Sequence, residues 1–363
     1  MMACQHISPS VARRCALACS ILVFGGAACS GQAVAPTPVA VVAPTVTPVA
    51  HGPMRVRASS VGVLGEAGEI LADSQGYFVQ QDLATEFVKI DVASNLVAAL
   101  TSGQIDVAGL GVEASVFNAI QRGVDLRIVA ALAASEPQAN GAFLVVRTDL
   151  IDSGKIRTYA DLKGLNIGIP AAASSAEYVV ARTMEAGGLA LSDAHLVVLT
   201  FPAMVTALGT QAIDLAVLAE PLATVAVQNG SGVKWKGIAD VVPGFQQTVV
   251  AYNPQFAAQR DLATRWMKAY LRGVRDYNDA FRKNVHRPQT VEILAGALSI
   301  KPTLFDGMGF MHIHPDGKVN LASMEDVMRW YVKMGYLSSP VDVARSVDPS
   351  FAEAAVTELG PYQ

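Results

Sequence analysis

The stretch LVAALTSGQIDVAGLG, Leu96 to Gly111, returns in weaker form as MVTALGTQAIDLAVLA, Met204 to Ala219, at an offset of 108 residues. Aligned without a gap, the two share Val97/Val205, Ala99/Ala207, Leu100/Leu208, Ile105/Ile213, Asp106/Asp214, Ala108/Ala216 and Leu110/Leu218. A motif repeated once and not a third time argues against a repeat array and for one supersecondary unit built twice. Each copy reads as an amphipathic helix, a polar stop and a short apolar strand.

The flanking residues extend the unit. In the first region MRVRASS reads as a strand, GEAGEILADSQGYF as a helix ending near Gly76, EFVKIDV as a strand, SNLVAALTSG as a helix stopped by Gly103, and IDVAGLG as a strand. The second region repeats the order with LNIGIPA, SSAEYVVARTMEAGG, AHLVVLTF, AMVTALGT and IDLAVLA. Alternating strands and helices predict an α/β chain of two lobes, each a mostly parallel sheet flanked by helices. GAFLVVRTD (Gly141 to Asp149) and QTVVAYN (Gln247 to Asn253) fit neither unit and are expected to be crossover strands forming a hinge. The expected divisions are 54–145 for the first part of lobe 1, 146–246 for lobe 2, and 247–363 for the return to lobe 1 with C-terminal helices. In that last part Trp266, Tyr270, Val274, Tyr277 and Phe281 fall at helical spacing and form a core-facing stripe.

A chain of 363 residues has ample length for two such lobes. Its formal charge of -4 and lack of a long basic run leave no electrostatic footprint for nucleic acid. All four cysteines, Cys4, Cys15, Cys19 and Cys29, stand in the first 29 residues, so the folded part has no thiol for a disulfide, a zinc site or nucleophilic catalysis. Arg13 and Arg14, the apolar run CALACSILVF and the small residues GGAA before Cys29 follow the order of a secretory signal. Small residues ending at a cysteine resemble the bacterial lipoprotein signal, although Gly26 stands where that signal usually has Leu. Residues 1–28 are thus expected to be a signal peptide and Cys29 to carry lipid. Residues 29–53, rich in Pro, Ala and Val, read as an extended tether. No later segment has the ~20 apolar residues of a membrane span.

Catalytic signatures are scarce. G-x-S-x-G, the P-loop and H-E-x-x-H are absent from the sequence. GLGVEA, Gly109 to Ala114, matches a relaxed dinucleotide fingerprint but follows the third strand of its unit and not the first, so no cofactor is expected. His312 and His314 would share a face in an extended segment, as two metal ligands could, yet no third ligand stands near and the turn at Pro315 and Gly317 explains the segment equally.

Ligands of open parallel sheets gather at the carboxyl ends of the strands. Here those ends carry Ser60 and Glu66, Gly111 and Glu113, Ser174, Ser175 and Glu177, and Glu220, with no Lys or Arg in the same loops. Each Glu alone is explained by first-turn pairing with a helix dipole; the four together point to a cleft that disfavours anions. Phe117, Tyr178, Phe143 and Phe201 are the aromatic faces that could stack on a ring, and each is also a reasonable core residue.

GYFVQQDL (Gly76 to Leu83), LTSGQID (Leu100 to Asp106), ADLKGLNIGIP (Ala160 to Pro170) and IDLAVLAEP (Ile213 to Pro221) together resemble the solute-binding proteins of ABC importers, in the SsuA/THI5-like branch with the nitrate, sulfonate and taurine binders and the thiamine-precursor proteins. The resemblance implies a two-lobed periplasmic-binding-protein fold (type II), no catalysis, and capture of a small-molecule solute between the lobes. It also implies delivery by a monomer to a membrane permease from an exported, membrane-anchored position. Within that branch the charge pattern favours a neutral heterocycle, riboflavin or a thiamine-precursor pyrimidine, binding at Ser60, Glu66, Gly111, Glu113, Phe117, Ser174, Ser175, Tyr178 and Glu220. The alternatives are a sulfonate, taurine or nitrate binder and, from another class, an extracytoplasmic metal-assisted hydrolase using His312 and His314.

Overall fold

The computed structural model describes residues 52–90 and 93–363. The expected signal peptide, nearly all of the expected tether and Cys29 lie outside the described residues.

The first sheet joins β1 (Met54–Ser60), β2 (Leu83–Lys89), β3 (Val107–Gly111), β4 (Arg127–Ser135) and β10 (Phe245–Tyr252) in the order β2-β1-β3-β10-β4. The second joins β5 (Ala142–Arg147), β6 (Asn166–Ile169), β7 (His195–Val198), β8 (Leu215–Ala219) and β9 (Gly232–Gly237) in the order β7-β6-β8-β5-β9. In the first sheet β1 runs parallel to β2 and β3, and β10 antiparallel to β3 and β4. In the second β6 runs parallel to β7 and β8, and β5 antiparallel to β8 and β9. The sheets therefore share one plan, and the antiparallel strand of each is entered from the other. β5 and β10 are where the crossings land, and each pairs wholly within its own sheet. The covalent links between the sheets are residues 136–141 and 238–244, a few residues before the segments expected to be the hinge. The two links lie side by side, because Ala239 donates its N–H to Asn140 Oδ1 at 3.0 Å.

The repeated motif has a structural counterpart. Its first half forms α2 (Ala93–Thr101) and α6 (Phe201–Gly209), and its second half β3 and β8. The shared aspartates close the start of each strand in the same way. Asp106 Oδ2 accepts Arg57 N–H at 2.9 Å, and Asp214 Oδ2 accepts Asn166 N–H at 2.9 Å, so each ties its strand to the first strand of its repeated unit, β1 or β6. Each is also paired with an arginine, Arg57 at 2.7 Å and Arg147 at 3.1 Å.

Helices cover the faces. α1 (Ala67–Ser74) packs on α9 (Arg260–Arg282) with backbones so close that a Cβ on Gly273 would stand 2.1 Å from Gly68 O. Trp266, Tyr270, Val274 and Tyr277 are fully buried along α9, with Phe281 partly so, which is the expected stripe. α11 (Leu321–Lys333) packs against both α3 (Ala114–Gln121) and α5 (Ser175–Ala186).

Candidate functional site

Glu66 precedes α1 and turns its carboxylate back on the loop that leaves β1. Oε1 accepts Val61 N–H at 2.7 Å, and Oε2 accepts Gly62 N–H and the Ser60 hydroxyl, both at 3.0 Å. Burial raises the pKa of this group, and the same hydrogen bonds hold the rise in check. Glu177 does the equivalent work in the second lobe. Ser174 caps α5 by accepting Glu177 N–H at 3.3 Å, and Glu177 Oε2 accepts Ala173 N–H at 2.5 Å. Its other oxygen accepts the Tyr336 hydroxyl at 2.6 Å. Ser175 is the half-buried first residue of α5. Both glutamates thus hold the strand-to-helix turns in shape.

Glu220 corrects the expectation that these loops lack a cation. Its carboxylate is fully buried, and Lys234 of β9, absent from the loop but opposite it in space, brings Nζ to 2.5 Å from Oε1. Gly309 N–H adds a bond to Oε1 at 3.0 Å and Thr224 N–H one to Oε2 at 3.1 Å. Lys234 in turn donates to Thr224 Oγ1 at 2.5 Å and Gly307 O at 2.8 Å, and lies 4.7 Å from the centre of the Phe143 ring. A neutralised pair cannot repel a bound anion as a bare carboxylate would.

Glu113 differs from the other three. It precedes α3 without capping it, its half-buried carboxylate makes no hydrogen bond among the described residues, and burial pushes its pKa up to about 7. The side chain folds over Gly111, where a Cβ would stand 2.5 Å from Glu113 Oε1. Thr248 pairs with Gly111 across β3 and β10, and its hydroxyl, like that of Ser115, is buried without a partner. Three polar groups at one strand end therefore have hydrogen-bonding capacity left over.

Of the four aromatic residues expected to face a ligand, Phe117 and Tyr178 are core residues. Phe117 is fully buried against Tyr331, with ring centres 5.9 Å apart. Tyr178 lies among Phe245, Trp330 and Arg182 and donates its hydroxyl to Asp326 at 2.6 Å. The helical spacing that puts them on α3 and α5 turns both toward α11, so neither offers a free face for stacking.

The strand-end loops of the two sheets touch. Leu64 N–H meets Glu220 O at 3.3 Å, and Ala114 N–H meets Ala173 O at 3.2 Å. The C-terminal chain bridges the same junction: Tyr331 donates to Val112 O at 3.2 Å and Asn118 to Tyr336 O at 3.1 Å in the first lobe, while Tyr336, Asp326 and Lys333 reach α5 and its turn in the second. Sequence reasoning missed Lys234, Thr248 and Tyr336, because each comes from a strand or segment distant in the chain and carries no motif.

His312 and His314 line a cavity of about 140 Å³ beside the crossings, with Glu136, Gly244, Gln246 and Lys318. His312 Nδ1 lies 2.6 Å from the Arg282 guanidinium, and burial together with that charge pushes its pKa down to about 4. His314 Nδ1 accepts Asp316 N–H at 3.1 Å. Among the described residues no three His, Cys, Asp or Glu side chains are placed to hold a metal ion.

A family model described as NMT1/THI5 like matches residues 65–280. No curated protein matches the chain. Among solved structures, the periplasmic aliphatic sulphonate binding protein SsuA from Escherichia coli is similar at 18% identity and a TM-score of 0.65, over 81% of this chain and 91% of that one. The periplasmic nitrate-binding protein NrtA from Synechocystis PCC 6803 is similar at 14% identity and a TM-score of 0.69, over 85% and 89%. The desulfurization enzyme DSZB is similar at 14% identity and a TM-score of 0.60, over 84% and 99%. At these identities the likeness shows the fold, the two-lobed one of the periplasmic binding proteins, and the same fold carries both binding and catalysis.

Proposed function

The chain belongs to the NMT1/THI5-like family, and from that premise we propose that it is the solute-binding component of an ABC importer, taking a small solute between its lobes and delivering it to a membrane permease. The observation that carries this reading is the meeting of the two sets of strand-end loops around Glu113, a carboxylate with no partner of its own. Loops that touch across two crossings form a site that opens and closes about a hinge. Its free groups are one carboxylate and the hydroxyls of Thr248 and Ser115. That set suits a solute with N–H donors, which is the chemistry of riboflavin and of an aminopyrimidine. Stacking no longer ranks the two, since Phe117 and Tyr178 are in the core.

A second reading keeps its place for a specific reason. Glu220 is neutralised by Lys234, and Glu66 and Glu177 are turned into their own loops by neutral donors, so the expected repulsion of anions is reduced, and the similar proteins from E. coli and Synechocystis bind a sulphonate and nitrate. Mass spectrometry of small molecules released from the purified protein, followed by titration with riboflavin, an aminopyrimidine, an alkanesulfonate and nitrate, separates the readings. Saturable binding of none of them, with turnover of a substrate instead, would overturn the transport reading. The metal-assisted hydrolase draws no support from His312 and His314, which lack a third ligand among the described residues.

The protein acts outside the cytoplasm as a monomer held by lipid on Cys29. Replacing Cys29 with Ser is expected to move it from the membrane to the soluble fraction; an unchanged membrane fraction would remove the anchor.

A further inference from the structure

A cavity of about 230 Å³ is lined wholly by residues of the first lobe and its returning chain, with Glu66, Glu69 and Asp73 on the side of α1 and Ile70, Phe87 and Leu298 as an apolar wall. Glu66 is engaged by the turn after β1. Glu69 is not engaged: it is 2% exposed, and its Oε1 has no hydrogen-bond partner. Asp73, four residues along the same helix face, has no side-chain hydrogen bond or ion pair among the described residues. No Lys, Arg or His lines the cavity. A helix of this length would form as well with Gln or Leu at the position of Glu69, and an unpaired buried carboxyl is costly. Burial pushes the Glu69 carboxyl toward its neutral form, and a cationic group entering the cavity is one partner that would both ionise it and satisfy the unpaired oxygen.

The form of the cavity narrows what enters. The acidic groups do not converge as metal ligands would, since no three are placed to hold a metal ion. An ammonium group instead donates along separate N–H directions at hydrogen-bond distance, and its alkyl body would cover Ile70, Phe87 and Leu298. We infer that this cavity is a second binding site, taking a small organic ammonium ion with a short apolar body; it borders the expected solute site at the turn after β1, through Ser60, Gly62 and Glu66, and its own binding groups are Glu69 and Asp73. The site does not depend on which solute the lobes take.

Titration calorimetry of the full chain with propylammonium chloride tests it. The expected result is saturable binding that weakens at least tenfold in Glu69→Gln and less in Asp73→Asn, with no comparable heat from sodium or calcium chloride. Crystals soaked in 3-bromopropylammonium should give an anomalous bromine peak beside Phe87 and Leu298, a readout that holds even if a variant folds poorly. Absence of saturable heat, equal affinity in a folded Glu69→Gln, the same heat from the inorganic salts, or a bromine peak between the lobes would each overturn the inference.

Discussion

Lys234 Nζ lies 2.5 Å from Glu220 Oε1, and the pair is largely out of solvent, with the Glu220 side chain 0% and the Lys234 side chain 17% exposed. The same two side chains reach Gly307 O and Gly309 N–H, which belong to the chain returning to the first lobe. One ion pair in the second lobe therefore also holds the C-terminal segment down.

Removing one partner of such a pair leaves an uncompensated buried charge, which typically costs about 3 to 5 kcal/mol. Lys234→Met and Glu220→Leu are each expected to lower stability by that order in urea unfolding. The double variant should recover a large part of the loss, because two apolar groups leave no charge unpaired. Two single losses that simply add in the double variant would mean the pair is not coupled.

The aspartates of the repeated motif make a second test. Asp106 and Asp214 each accept a strand N–H and pair with an arginine, in equivalent places of the two sheets. Asn keeps the shape but loses the charge, and a hydrogen bond to a charged group contributes about 1.5 to 3 kcal/mol. Asp106→Asn and Asp214→Asn should each cost about that much in denaturant unfolding. Asp→Ala should cost more by stranding the N–H of Arg57 or Asn166. A neutral result for both Asn variants would reduce the shared aspartate to coincidence.

Helices and strands of the repeated unit are where apolar periodicity puts them, because both sheets are covered by helices and their strands read as apolar runs. The expected start of β2 is three residues late, since the strand opens at Leu83–Thr85, where only Leu83 is buried and Ala84 is exposed, so no apolar run marks its start. β4 was not read at all. RIVAALAAS has the alanine content of a helix, yet every residue after Arg127 is buried: β4 is the edge strand of its sheet, paired with β10 on one side and covered on the other by the C-terminal chain, which bridges it at Ile128–Val347 and Ala134–His312, and that context overrides propensity. At the site, the loops were legible but the engagement of the glutamates was not. Nothing local announces that Lys234 folds toward Glu220, or that Tyr336 comes to Glu177 from 159 residues away.

That last contact bears on opening. Tyr336 is held to the first lobe through its carbonyl, which accepts Asn118 Nδ2 at 3.1 Å, and to the second through its hydroxyl on Glu177. Tyr336→Phe removes only the second link, a hydrogen bond to a charged group of about 1.5 to 3 kcal/mol. The free variant should populate an open form more than the wild type. Small-angle scattering should give a larger radius of gyration for it, and the two proteins should match once solute is saturating. Identical free curves would show that the bridge does not resist opening.

Glu113 decides between the two kinds of solute. Burial raises its folded pKa to about 7 from 4.5, so the folded protein holds a proton that the unfolded chain has lost between those values. Through this group stability falls as pH rises from about 4.5 through 7, by an amount on the order of 2 kcal/mol after allowance for partial solvent contact. Glu113→Gln should remove that slope. Binding follows the same ionisation. A solute donating N–H to the carboxylate should bind about tenfold tighter at pH 8 than at pH 6, as the ionised fraction rises by that order. An alkanesulfonate or nitrate should show the opposite slope, because the charge then opposes it. Titrations of an aminopyrimidine and an alkanesulfonate at the two pH values, with wild type and Glu113→Gln, read both slopes at once. Flat profiles for both solutes in the wild type would remove Glu113 from the solute site and leave the choice of solute to the hydroxyls and helix ends alone.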